Sequence, residues 1–289
     1  MLGSRPLVKI STIQHDSPRG RWTLSQWRPA HLAASVEVVW QSDGTVWEPQ
    51  DRHYPSPSVE LLVNVSGDRY RLVVPQGAEF FDDAWLAGVQ TGPVVTDVPR
   101  HSTVLGVRLT PAGAYALLAM PMRELAGFVA NLEDLVGRAS RELTDRCRHA
   151  ASLEERFRVA AAWVAERVSR ARGVTPEIAW SAAQIERSGG QVSIGRLREE
   201  TGFSKTRLVA AFRDQIGVAP KLYARIVRFS RAAAMLEERE APLTDVALAA
   251  GYYDQPHMNA EFRELSGLTP REFVARARPD ANTVFPMSF

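Results

Sequence analysis

The chain has 289 residues, a formal net charge of +2 and 24% charged side chains, an ordinary globular composition with room for two cores. Its one cysteine, Cys147, excludes an internal disulfide and fits a reducing compartment. The most apolar stretch, residues 104–120, is interrupted by Arg108 and Pro111 and is too short to span a bilayer, and the polar start offers no signal peptide.

Residues 1–120 alternate short apolar runs with turn signals. Runs at 36–40, 59–65, 69–74 and 104–109 predict strands, and Ser66-Gly67-Asp68 between two of them predicts a tight hairpin. Asp43-Gly44, Pro55-Ser56-Pro57 and Gln76-Gly77 predict further turns. The whole reads as a small antiparallel β-domain. Trp22, Trp27, Trp40, Trp47 and Trp85 crowd into it, either as core or as the lining of a ligand pocket. The histidines are too scattered for a metal site, and no cofactor is implied. From 121 to 172 the pattern turns helical, with helices expected near 132–137, 143–149 and 153–168. Cys147 lies there between Arg146 and Arg148, neighbours that would lower its pKa if they faced the sulfur.

Gly173 breaks the chain, and Thr175-Pro176 starts a helix that stops at Gly189-Gly190. Beyond it, residues 201–223 and 250–273 are copies of one another. Gly202 matches Gly251, Phe203 matches Tyr252, Leu208 matches Met258, Phe212-Arg213 matches Phe262-Arg263, and Gly217 and Pro220 match Gly267 and Pro270. Each copy follows a short helix with a Gly-aromatic turn and an amphipathic helix, the sequence form of a helix-turn-helix. Ser204 and Asp254 are the expected N-caps. Leu208, Phe212 and Ile216 share one helical face, as do Met258, Phe262 and Leu265. A linker helix of about twenty residues spans roughly 30 Å, near the 34 Å of one turn of B-DNA. Thr269-Pro270-Arg271-Glu272 has the capping-box form and starts a short closing helix.

The paired Gly-aromatic turns, the two Phe-Arg pairs, the two Gly-x-x-Pro stops and Arg228 in the linker make residues 176–276 resemble the DNA-binding domain of the AraC/XylS transcription regulators. Residues 57–64, 88–93, 105–113 and 121–125 resemble an uncharacterised, cupin-like domain found ahead of such modules. The fold expected is α+β: an antiparallel β-rich domain (1–120), a helical linker region (121–172) and an all-α domain (173–289) with two helix-turn-helix units joined by a long helix. The resemblance implies a cytoplasmic, homodimeric bacterial regulator of transcription. Its partners would be double-stranded DNA, RNA polymerase and a small-molecule effector, with no membrane.

Between 204 and 231 the chain carries seven basic side chains and one acid, Asp214, the footprint of a phosphate-binding surface or of a solvated helix face. Lys205, Thr206 and Arg207 in the first unit, and Gln255, His257 and Asn259 in the second, are expected to read base edges, because Arg and Lys suit guanine and Gln and Asn suit adenine. His257 equally suits a cap or a phosphate. Arg213, Lys221, Arg225 and Arg263 complete the expected DNA-contacting set. The resemblance makes Arg228 a buried structural arginine. Ala210 and Ala260 donate nothing to a base, though they can touch a thymine methyl. The rival readings are an architectural DNA-binding protein without effector and a DNA-modifying enzyme, which would need Cys147 as nucleophile. Neither a P-loop nor a Gly-x-Ser-x-Gly motif is present.

Overall fold

The computed structural model describes residues 8–17, 20–48, 50–74, 77–169, 173–238 and 241–277. Eleven strands come first among them: β1 (Ser11–Ser17), β2 (Gly20–Trp27), β3 (Val36–Val46), β4 (Gln50–His53), β5 (Val59–Asn64), β6 (Tyr70–Val74), β7 (Gly77–Phe81), β8 (Ala84–Ala87), β9 (Val94–Asp97), β10 (His101–Leu109) and, after a helix, β11 (Val129–Asn131). They form a seven-stranded sheet in the order β1-β2-β3-β10-β5-β8-β11 and a four-stranded sheet in the order β4-β9-β6-β7, with antiparallel pairing throughout. The sheets face each other across Leu24, Val38, Trp40, Leu62, Tyr70, Phe81, Trp85 and Val104. Alternation puts the intervening residues, Val39, Leu61, Val63, Leu105 and Val107, on the opposite face, where helices cover them. Four of the five early tryptophans are buried; Trp47 is exposed.

Two expected turns are something else. Asp43-Gly44 lies inside the eleven-residue β3, where Gly44 is needed for close approach, since a Cβ there would sit 2.3 Å from the Arg21 carbonyl of β2. Ser66-Gly67-Asp68 is not a hairpin, because β5 and β6 belong to different sheets. The turn carries the chain between layers, held by Asn64, whose Oδ1 accepts from Gly67 N at 3.1 Å and from the Ser66 hydroxyl at 3.0 Å. Gln76 lies outside the described residues.

The covering helices are α1 (Pro111–Leu118), α2 (Leu132–Val136), α3 (Ala139–Arg148) and α4 (Leu153–Val168), with a 3-10 turn at Met122–Glu124. Cys147 is buried on α3, and that burial pushes its thiol up to about 12. The neighbouring Arg148 turns away to the Asn64 carbonyl and Asp83, and the fields of Arg156 and Arg146 lower the thiol by less than burial raises it.

The remaining helices are α5 (Pro176–Arg187), α6 (Ile194–Thr201), α7 (Lys205–Ile216), α8 (Pro220–Glu238), α9 (Leu243–Ala250), α10 (Gln255–Ser266) and α11 (Pro270–Ala277). At 19 residues, α8 is about 28 Å long. The capping box at α11 is formed: Thr269 N donates to Glu272 Oε2 at 2.7 Å and Glu272 N to Thr269 Oγ1 at 3.2 Å. One apolar core runs from Val59 and Leu109 through Phe157 to Phe212 and Phe262, so the β-rich and all-α parts share it. Arg123 forms an ion pair with Asp214, the Ser230 hydroxyl donates to the Pro55 carbonyl at 3.2 Å, and the rings of Tyr54 and Phe273 meet at 4.9 Å.

Candidate DNA-binding interface

The first helix-turn-helix is α6–α7. Gly202 ends α6 in the left-handed conformation (φ 67°), which lets the chain reverse within two residues. The Ser204 hydroxyl then accepts from Arg207 N at 3.2 Å and starts α7. Leu197, Phe203, Leu208, Phe212 and Ile216 are buried beneath the unit. Lys205, Thr206, Arg207, Ala210 and Arg213 are exposed on the opposite face of α7, with Lys221 exposed at the start of α8. The Arg207 guanidinium lies 4.0 Å over the Phe203 ring, a cation–π contact that orients the side chain. Among the described residues, Lys205, Arg207, Arg213 and Lys221 have no acidic partner.

The second unit is α9–α10. Gly251 makes the same left-handed stop (φ 91°), and Asp254 Oδ1 accepts from His257 N at 2.8 Å. Between stop and cap it carries one extra residue, Tyr253, which is 87% exposed. Tyr252, Met258, Phe262 and Leu265 are buried. Arg263 and Ala260 are exposed, and Gln255 is half-buried at the first position of α10. His257 is exposed, yet its Nδ1 accepts from Tyr253 N at 3.4 Å, so it also serves the turn. Asn259 is half-buried on the flank of α10; its amide oxygen is out of solvent and lacks a hydrogen-bond partner.

Arg225, expected among the phosphate contacts, is engaged elsewhere. Its Nε donates to Glu261 Oε1 at 2.8 Å and its other nitrogen pairs with Glu264, leaving 21% of the side chain exposed. Arg228 joins it, donating to Glu261 at 3.2 Å and lying 5.1 Å over the Tyr252 ring, in the structural role the family resemblance implies. The physical reason is the crossing of α10 over α8, sealed by Phe229 on Phe262 at 4.7 Å, which sets Glu261 directly above both guanidiniums. The hydrogen bond from Arg225 holds the Glu264 carboxyl below the usual range, and burial pushes the Tyr252 phenol up. Sequence reasoning missed Glu261. Its only signal was an acid between Met258 and Phe262 on an otherwise apolar stripe.

Comparison with known proteins agrees with this geometry. Residues 197–276 match the family described as "Helix-turn-helix domain", and residues 28–131 match "Domain of unknown function (DUF6597)". The chain is 30% identical over 94 residues to the probable transcription factor PqrA of Proteus vulgaris, a match covering 32% of this chain and 76% of PqrA. It is 28% identical over 83 residues to the probable transcriptional regulator LumQ of Photobacterium leiognathi, covering 29% of this chain and 34% of LumQ, so it spans about a third of that relative. Among solved structures, ToxT from Vibrio cholerae O395 aligns over 83% of this chain and 97% of its own, at 11% identity and a TM-score of 0.48. No helix among the described residues is long and apolar enough to cross a membrane. The chain belongs to the AraC/XylS family of helix-turn-helix transcriptional regulators.

Proposed function

We propose that the protein is a cytoplasmic, sequence-specific DNA-binding regulator of transcription, without catalytic activity. Residues from 173 onward would read DNA; the β-rich part to about 120 and the helices to about 172 would dimerise the chain and sense a small molecule. RNA polymerase would be a further partner. The observation that carries the reading is the first recognition helix, capped by Ser204, which presents Lys205, Thr206 and Arg207 together and exposed, with neither base paired to an acid among the described residues. In this reading Lys205, Arg207 and Gln255 contact base edges, Arg213, Lys221 and Arg263 contact phosphates, and Thr206 and His257 serve either. Asn259 contributes only if its amide turns outward. Arg225 leaves the DNA-contacting set and becomes a brace. An apolar cavity of about 160 Å³ between the two sheets, walled by Trp22, Tyr70 and Trp85, supports the sensing role. The test is selection of duplexes from a random pool with the full chain. Enrichment of one motif supports the reading; salt-dependent binding with no preferred motif would support an architectural protein instead.

A further inference from the structure

A second cavity, of about 400 Å³, lies between the two parts of the molecule. Its floor is the seven-stranded sheet with the loop after β2, and its far wall is α5 and α8 of the DNA-binding part. Four ionisable side chains matter there: Arg28, Glu37, Glu186 and Tyr223. Glu37 arrives by a specific device. In the pairing of β3 with β10, Arg108 stands opposite Val38 and Leu109 opposite Val36, so Glu37 is the extra residue of a β-bulge. Bulges re-aim side chains, and this one directs a carboxylate out of the sheet alternation to the cavity wall. Glu186 sits in the last turn of α5 and accepts from the buried Tyr223 hydroxyl at 2.5 Å, which fixes its orientation.

Arg28, Glu37 and Glu186 are exposed and form no direct ion pair among the described residues; Arg28 donates to the Glu37 backbone carbonyl at 3.4 Å, and Glu37 lies in the attractive fields of Arg108 and Arg28. Arg108, the fourth charge on the wall, pairs with Glu60 at 2.7 Å. The cavity therefore offers two carboxylates from opposite parts of the molecule and two guanidiniums, of which Arg108 is already paired with Glu60. Desolvation raises both carboxyl groups; at Glu37 the Arg108 guanidinium opposes that rise and Glu186 adds to it, and an incoming cation would favour the charged form of both. The inter-sheet cavity differs in kind, being walled mainly by apolar side chains.

We propose that the interdomain cavity binds a small zwitterion of net positive charge, with the chemistry of a diamino acid: its carboxylate at Arg28 and its two cationic groups at Glu37 and Glu186. A cleft between domains is a usual place for a small ligand, and matching each fixed charge with an opposite one gives orientation as well as affinity. Such a ligand would tie the sheet to α5 and α8, and so to the helix that spaces the two recognition helices. That regulatory consequence rests on the DNA-binding reading; the binding itself does not.

The experiment is calorimetric titration of the full chain, without DNA, with L-lysine, L-ornithine and L-arginine. Cadaverine, which lacks the carboxylate, and 6-aminohexanoate, which lacks one cation, are the controls. At least one diamino acid is expected to bind about tenfold or more tightly than either control. Arg28→Gln, Glu37→Gln and Glu186→Gln are each expected to lose about tenfold or more. Ala33→Trp, which adds bulk at the cavity lining without removing a charge, is expected to abolish binding and keeps the test open if a charge variant fails to fold. Absence of heat with all three diamino acids at about 10 mM would overturn the proposal, as would unaltered binding by Glu37→Gln and Glu186→Gln. Binding of a diamino acid by a chain that selects no DNA motif would leave this site standing and remove the DNA-binding reading.

Discussion

Position by position, Lys205, Thr206 and Arg207 of the first recognition helix correspond to Gln255, Pro256 and His257 of the second, and Ala211 stands where the second has Glu261. Asp214 and Glu264 also correspond, but they are tied to different places. Asp214 pairs with Arg123 of the β-rich part, whereas Glu264 pairs with Arg225 of the linker helix. The same scaffold thus carries a cationic first helix moored to the β-rich part and a more acidic second helix moored to the spacer. Phosphate attraction is long-ranged and charge-driven, while base readout needs only aligned neutral donors and acceptors. In the proposed reading both units contact base edges, and the cationic first unit supplies more of the phosphate attraction.

The largest effect should come from the brace. Glu261→Ala leaves Arg225 and Arg228 without their shared carboxylate, and breaking such a pair costs about 3–5 kcal/mol. Denaturant unfolding should show that loss. A change of under about 1 kcal/mol would mean that α10 is held by packing alone and that the two units are moored alike.

Next come the readers. Arg207→Ala should lose about 1–3 kcal/mol on the selected site, and Gln255→Ala about 1 kcal/mol with little change on mismatched DNA. Measured as the ratio of specific to random-site affinity at fixed salt, a larger selectivity loss for Gln255→Ala than for Arg207→Ala would sharpen the division of labour. Equal, unselective losses would break it.

Smaller still are the phosphate contacts. Lys221→Ala and Arg213→Ala should each shallow the dependence of log affinity on log salt by about one unit. Arg225→Ala, being ion-paired already, should leave that slope unchanged; a drop of about one unit would return it to the phosphate surface.

Acid should distinguish the units least, but with a definite sign. The Glu264 carboxyl is held below the usual glutamate range by Arg225. Its contribution is present above the unfolded value near 4.5 and is lost as pH falls through the lower folded value. The stability gap between wild type and Glu264→Gln should therefore close on acidification; a gap that widens would contradict the pairing.

Local signals made the helix-turn-helix units legible in the sequence. A left-handed glycine, an N-capping Ser204 or Asp254 and an apolar stripe act within a few residues, and the structure has each where expected. Long-range pairing was not legible. Nothing near Ser66 says that the next strand joins the other sheet, and Asp43-Gly44 has the composition of a turn although Gly44 serves close strand contact. Arg225 looked like a free cation because its partners lie 36 and 39 residues away on another helix. Asn259 looked outward by helical spacing, but it falls on the edge of the buried stripe, where a few degrees of rotation decide exposure.

The most direct test is the shape of the selected DNA site. Two recognition helices spaced by the rigid α8 should enrich two short blocks about 10 base pairs apart centre to centre, on one face of the duplex. Substituting Gln255 should erase information from only one block. A single block, or two blocks that both survive Gln255→Ala unchanged, would contradict the placement of the second helix against base edges.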